Sequence, residues 1–352
     1  MAIKKEGSKK AIACLYQFLR ARISVEKRVK FQKAMAWAGE RLCFWDMLIE
    51  GKVRKGYRTI IMIYHRVCPI PKEIWSPFNA LIISPTAFAK QLEYFARNYE
   101  VISLSHLLEI LQRGGIPPAK SVCFTFDDGY EDNYTYAYPI LKRYGVPATF
   151  FLITDLMETR VSPNALLQSL RETTIGKIKL KGVGEFNLHS PRDKWQAFCS
   201  IWEELKKMPE EKAREIIKEI KSICGVEISF FEGPMLSWEE IREMSENGME
   251  FGVHTRRHPN LVSEVTFEEA RWEIEQSKRD IEEKLGREVK AFAYPYGKFN
   301  EEIVKIVKEA GFTGAVSARP QWVKGRENPY LLGRIFPSDD FAIFKAKIAG
   351  FF

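Results

Sequence analysis

The chain has 352 residues, 45% hydrophobic and 28% charged, the balance of a globular protein with one principal core and room for appendages. Its net charge of +8 resides in the first 56 residues, which hold fourteen Lys/Arg against five Asp/Glu, so a nucleic-acid-binding main domain is excluded. No run approaches the roughly 18 to 20 apolar residues of a membrane-spanning helix, and the six scattered cysteines form no C-x-x-C pair or disulfide framework.

Residues 11 to 50 read as helix. Ile12, Leu15, Leu19 and Ile23 share one face, and Phe31, Met35, Ala38, Leu42 and Trp45 make a second stripe. Arg20, Arg22, Lys27, Arg28, Lys30 and Lys33 lie between them. Such a segment suits either peripheral contact with an anionic membrane or docking on its own domain. The opening "MAIKKEGSKK" imitates a secretory leader, but its apolar run ends at Arg20 and Arg22 without a small-residue cleavage site. The expectation is therefore a cytoplasmic protein with peripheral membrane contact through residues 1–56, not a secreted one.

From residue 57 strands and helices alternate. "TIIMIY" is a strand, Ser84 and Pro85 open a helix, "SHLLEILQRGG" is a second helix, and "SVCFTF" and "ATFFLI" are strands around a helix near 133 to 144. Residues 157 to 235 break the rhythm with charged, helical sequence and read as an insertion. The alternation then resumes: Ser237 with Glu240 and Thr266 with Glu269 form capping boxes, "MEFGV" and "VKAFAY" are strands, and Asn300 caps a helix. "TGAVS" and "YLLGRIF" close the set. This order predicts a parallel α/β sheet or barrel over residues 57–352, preceded by the basic segment 1–56.

In a β/α barrel the strand C-termini share one rim. "TFDDG" places Asp127 and Asp128 there, "HTRRH" adds His254 and His258, and Tyr64-His65 and "AYPYG" end two further strands. Histidines at i and i+4 on a helical turn offer two imidazoles to one metal, although two surface histidines would share that spacing. One Asp and two His make three ligands for zinc or a similar divalent ion. Such an ion lowers the pKa of its water and polarises a carbonyl, and the second Asp is free to act as general base. The cation's charge also offsets the repulsion between the adjacent carboxylates.

Together "TFDDG", "HTRRH" and "AYPYG" resemble the NodB-homology polysaccharide deacetylases, carbohydrate esterase family 4, over about residues 57 to 340. The resemblance implies a distorted (β/α)7-type barrel and metal-dependent removal of acetyl groups from an N-acetylated glycan. It assigns Asp127 as catalytic base, Asp128, His254 and His258 as ligands of Zn2+, with Co2+ or Mn2+ as alternatives, and the Tyr296 backbone N–H as an oxyanion donor. The form of "YHRV" and "FAYPYG" is similar to the branch acting in surface-polysaccharide assembly, whose lipid-linked glycans are presented at membranes.

Three positions depart from the family pattern. Its base-bracing arginine is Ala293 here, its Asp-Trp motif has no counterpart around "SARPQW", and its Leu-x-His proton donor corresponds to Leu332-Gly333-Arg334. An arginine cannot donate a proton usefully at neutral pH. His65 is the candidate for returning the proton to the amine. Two alternatives stay open: a deformylase or deacylase of another lipid-linked amino sugar, or a glycan-binding barrel without turnover.

Overall fold

A computed structural model of the chain describes residues 25–70, 81–157, 164–205, 207–225 and 233–351. The first predicted apolar face, Ile12 to Ile23, with Arg20 and Arg22, lies outside the described residues.

Helices α1 (Val25–Arg41) and α2 (Phe44–Arg54) are separated by a break at which Cys43 is left-handed, φ 51°. This break corrects the second predicted stripe. Leu42 and Ala38 are exposed, whereas Ala36, Trp45 and Ile49 are buried. The Trp45 indole donates to the Ala36 carbonyl at 2.8 Å, so the turn itself packs the ring inward. Both helices lie on α12 (Phe341–Ile348), where Lys345 pairs with Asp46 at 2.6 Å and Glu40 at 3.1 Å. Both helices thus dock on the chain's own C-terminal helix.

The strands follow in order. β1 (Thr59–Tyr64), β2 (Arg66–Val67) and β3 (Ile82–Ile83) precede α3 (Pro85–Asn98), then β4 (Glu100–Val101), α4 (Leu104–Gln112) and β5 (Ser121–Phe126). A π-helical turn (Asn133–Ala137) runs into α5 (Tyr138–Tyr144) and β6 (Ala148–Leu152). The insertion contains α6 (Asn164–Glu172), an antiparallel hairpin β7 (Lys177–Leu180) and β8 (Gly184–Asn187), then α7 (Pro191–Leu205) and α8 (Glu210–Cys224). Finally come α9 (Trp238–Glu246), β9 (Glu250–Val253), α10 (Phe267–Leu285), β10 (Ala291–Ala293), α11 (Glu301–Glu309) and β11 (Gly314–Val316).

The main sheet runs β1-β5-β6-β9-β10-β11, all parallel, with β4 paired to the start of β5. Every position of β1 and β5 is buried, as expected of strands covered on both faces. Between the sheet's two edges lies the segment 332–335: Leu332 bridges Val316 of β11 and Ile335 bridges Met62 of β1, both in parallel. The sheet thus curls into a distorted (β/α) barrel in which "YLLGRIF" is the closing stave. Ser84 and Asn300 cap α3 and α11, and the two capping boxes open α9 and α10 as the sequence predicts.

Candidate active site

At the end of β5 the backbone turns left-handed at two successive residues, Asp128 (φ 76°) and Gly129 (φ 82°). Strand alternation would send neighbouring side chains to opposite faces. The turn instead brings both carboxylates to one rim: His254 Nε2 lies 3.9 Å from Asp127 Oδ2 and 3.7 Å from Asp128 Oδ1. Asp132 ties the loop down by accepting from Arg66 Nε at 2.6 Å and from the Val67 amide at 3.2 Å.

The segment carrying His254 and His258 is a loop rather than the predicted helical turn. Thr255 (φ 68°) and His258 (φ 63°) are both left-handed. What holds the loop is Glu273 of α10, a fully buried carboxylate. It accepts from the amides of Arg256 and Arg257 at 2.9 and 3.0 Å and from Arg257 Nε at 2.7 Å. The Thr255 hydroxyl accepts from the His258 amide at 3.0 Å. The loop achieves what a helical turn was expected to do, since the two Nε2 atoms face each other at 3.1 Å.

His254 Nδ1 lies 2.7 Å from the Ala293 carbonyl, an acceptor only, so that nitrogen carries the proton and Nε2 keeps its lone pair. His258 Nε2 is 3.9 Å from Asp128 Oδ1, and the three donor atoms of Asp128, His254 and His258 lie within 4.8 Å of one another. Burial, and then the Asp127 charge, push the Asp128 carboxyl up to about 8. Burial also lowers His254, and lowers His258 further with help from His254 and Arg171. Converging imidazole nitrogens and an anion disfavoured by its surroundings are the donor set a divalent cation satisfies, so these three residues fit a metal.

Asp127 behaves differently. Burial pushes its carboxyl up, but Arg334 and then His254 outweigh burial and leave it below its ordinary value. Arg334, only 1% exposed, grips both carboxylate oxygens: Nη1 to Oδ1 at 2.6 Å and Nη2 to Oδ2 at 2.7 Å. The guanidinium also donates to the Thr125 hydroxyl at 3.1 Å and the Ser317 carbonyl at 3.2 Å. The arginine that pairs with Asp127 is thus not at 293, which is Ala, but Arg334 on the closing stave. The sequence signal was a lone cation inside the apolar run "LLGRIF".

His65 follows β1. Its carbonyl accepts from Asn133 Nδ2 at 2.8 Å, and its ring lies parallel to Phe336 with centroids 6.0 Å apart. Burial lowers its pKa to about 4, with Asp127 opposing and Arg334 and His254 adding to the shift. Its buried Nδ1 has no hydrogen-bond partner among the described residues. Tyr296 is left-handed, φ 57°, and its phenol oxygen lies 2.7 Å from His258 Nδ1. The sequence pointed only to the Tyr296 backbone. His106 and His189 are exposed and outside this cluster.

Residues 114–315, more than half of the chain, match the polysaccharide deacetylase family model. The chain belongs to the polysaccharide deacetylase family. The matched span carries Asp127, Asp128, His254, His258 and Tyr296 and leaves out His65 and Arg334. This deacetylase-family chain is similar to a Staphylococcus aureus poly-β-1,6-N-acetyl-D-glucosamine N-deacetylase, at 25% identity over 270 residues, 73% of this chain and 68% of that protein. Among solved structures, Streptococcus pyogenes deacetylase PplD in complex with acetate aligns with TM-score 0.57 at 21% identity, over 83% of this chain and 97% of that one. IcaB from Ammonifex degensii aligns with TM-score 0.54, also at 21% identity, over 84% and 97%. These two structures share its fold.

Proposed function

We propose that the protein is a metal-dependent N-deacetylase that removes acetyl groups from amino sugars of a surface or lipid-linked polysaccharide. The observation that carries this reading is one rim holding an arginine-braced carboxylate, Asp127, beside the converging donors of Asp128, His254 and His258. The Staphylococcus aureus relative, named for poly-β-1,6-N-acetyl-D-glucosamine, supports a polymer of N-acetylated hexosamine as the substrate class.

Asp128, His254 and His258 would hold the cation, Zn2+ by donor chemistry with Co2+ or Mn2+ as substitutes. When bound, it supplies Lewis-acid polarisation of the acyl oxygen and favours ionisation of water. Asp127, kept anionic by Arg334, takes the proton of the attacking water as its oxygen bonds to the amide carbon. The Tyr296 N–H donates to the oxyanion that develops. Cleavage of the carbon–nitrogen bond then releases acetate and an amine, which needs a proton. His65, which follows β1 at the same rim and is neutral at pH 7, is the candidate for passing that proton to the leaving nitrogen.

We further infer a cytoplasmic protein in peripheral contact with an anionic membrane through residues 1–56, a reading that rests on the charge of that segment. Vesicle co-sedimentation with and without residues 1–56 tests it, and equal pelleting removes it. The catalytic reading is tested by quantifying bound divalent metal and assaying acetate and amine release from N-acetylglucosamine oligomers. A wild-type protein that binds no divalent metal overturns it. Metal binding without turnover on acetylated, formylated or longer-chain acyl amino sugars would favour a glycan-binding barrel.

A further inference from the structure

Arg171 carries the insertion to the edge of the candidate metal site. Arg171, in the last turn of α6, donates from Nε and Nη2 to the Glu264 carboxylate at 2.9 and 2.6 Å. Nη2 also approaches the His258 carbonyl at 3.4 Å. The guanidinium carbon stands 4.3 Å from the centre of the Tyr296 ring, and Nη1 is buried with no hydrogen-bond acceptor among the described residues. The guanidinium thus makes a cation–π contact with that aromatic face.

Tyr296 is the next link. With His258 Nε2 given to a cation, its proton would sit on Nδ1 and be donated to the phenol oxygen, 2.7 Å away. The phenol proton is then directed to the His258 carbonyl at 3.4 Å, the oxygen Arg171 also approaches. Yet Tyr296 is 40% exposed and sits on a left-handed turn, so the barrel alone leaves its ring weakly fixed. Arg171 supplies a charged plane on one face of that ring. Its own position is secured by Lys194, which donates to the carbonyls of Arg171 and Thr173 at 2.9 and 2.7 Å. A second clamp, Arg192 to Glu269 at 2.7 and 3.1 Å, joins α7 to the start of α10.

We propose that Arg171 is a positioning residue that orients His258 through Tyr296, making the insertion part of the metal-site machinery. The proposal rests on the reading of Asp128, His254 and His258 as metal ligands. Partners that orient a ligating histidine alter metal affinity or activity by about 10- to 100-fold when removed.

The test uses the full chain in a Glu264→Gln background, which avoids leaving a buried carboxylate without its arginine while keeping an acceptor for the Asn260 amide. In that background Arg171→Met is compared with Arg171→Lys, and folding is verified by circular dichroism. Zn2+ affinity is measured by competition with a chromophoric chelator, and the ligand-field spectrum is recorded with Co2+. Arg171→Met is expected to weaken Zn2+ binding about 10-fold and shift the Co2+ bands. Arg171→Lys should recover part of the loss. Adding Tyr296→Phe to Arg171→Met should cost little more, because both act on one histidine. Unchanged Zn2+ affinity and an unchanged Co2+ spectrum in the folded Arg171→Met protein overturn the inference alone. A parent protein that binds no divalent cation overturns the metal reading beneath it as well. Lower stability with wild-type metal binding likewise overturns the inference, since it marks Arg171 as a tie for the insertion only.

Discussion

The guanidinium of Arg334 faces the carboxylate of Asp127 fork to fork, 2.6 and 2.7 Å apart, with both groups almost wholly buried. The pairing joins the closing stave to the end of β5. It also explains how one of two adjacent carboxylates stays anionic while burial and its neighbour's charge push the other up to about 8.

Arg334→Met should destabilise the fold by about 3–5 kcal/mol, because it leaves the Asp127 charge buried and unpaired. Arg334→Lys keeps the charge but loses the second parallel hydrogen bond, so its loss should be smaller. Urea denaturation of the three proteins measures both effects. Turnover should fall in the same order, since Asp127 protonates more readily without its partner.

Asp127→Asn should lower turnover by about 10²–10⁴-fold while the protein still binds its metal. The three converging donors do not include Asp127. Asp128→Asn, by contrast, should lose metal and turnover together. Metal stoichiometry measured beside amine release separates the two outcomes; loss of metal from Asp127→Asn would show that the two carboxylates do not divide their roles in this way.

Glu273 offers a test remote from the donors. Glu273→Leu should cost about 3–5 kcal/mol, since it strands Arg257. Replacing Glu273 and Arg257 together by leucine should recover only part of this, because the amides of Arg256 and Arg257 still lose their acceptor. Thermal melts combined with Zn2+ affinity would reveal the loop's loosening as weaker metal binding in both variants.

Glu269 gives a signed pH dependence. The hydrogen bonds from Arg192, then those from Thr266, outweigh burial and hold its carboxyl at about 2, below the ordinary 4.5. Its folded value is depressed, so its contribution is present in full above the unfolded value and is lost as pH falls through about 2. Melting temperature should therefore decline between pH 4.5 and 2, and Glu269→Gln should flatten part of that decline. High salt should weaken the effect, since both partners are more than a third exposed.

Much of this was legible from local pattern. Caps at Ser84, Ser237, Thr266 and Asn300 depend on groups within a few residues, and so does the positioning of Asp127, Asp128 and His254 at strand ends. The break at Cys43 was not legible, because the surface on which both helices dock, α12, lies some 300 residues away. Nor was the loop form of "HTRRH", whose backbone is held by Glu273 on another element.

The sequence by itself determined the alternating fold, the two carboxylates and the two histidines, because each rests on short-range periodicity or spacing. Only the tertiary structure decided what Arg334 does. Read along the chain, it stood where a proton donor was expected and looked like a loss. Barrel closure brings it across 207 residues to Asp127, where a permanently charged, planar fork in a buried setting can serve as a brace. Long-range pairing of this kind leaves no periodic trace in sequence, since its geometry exists only once β1 and β11 meet the segment between them.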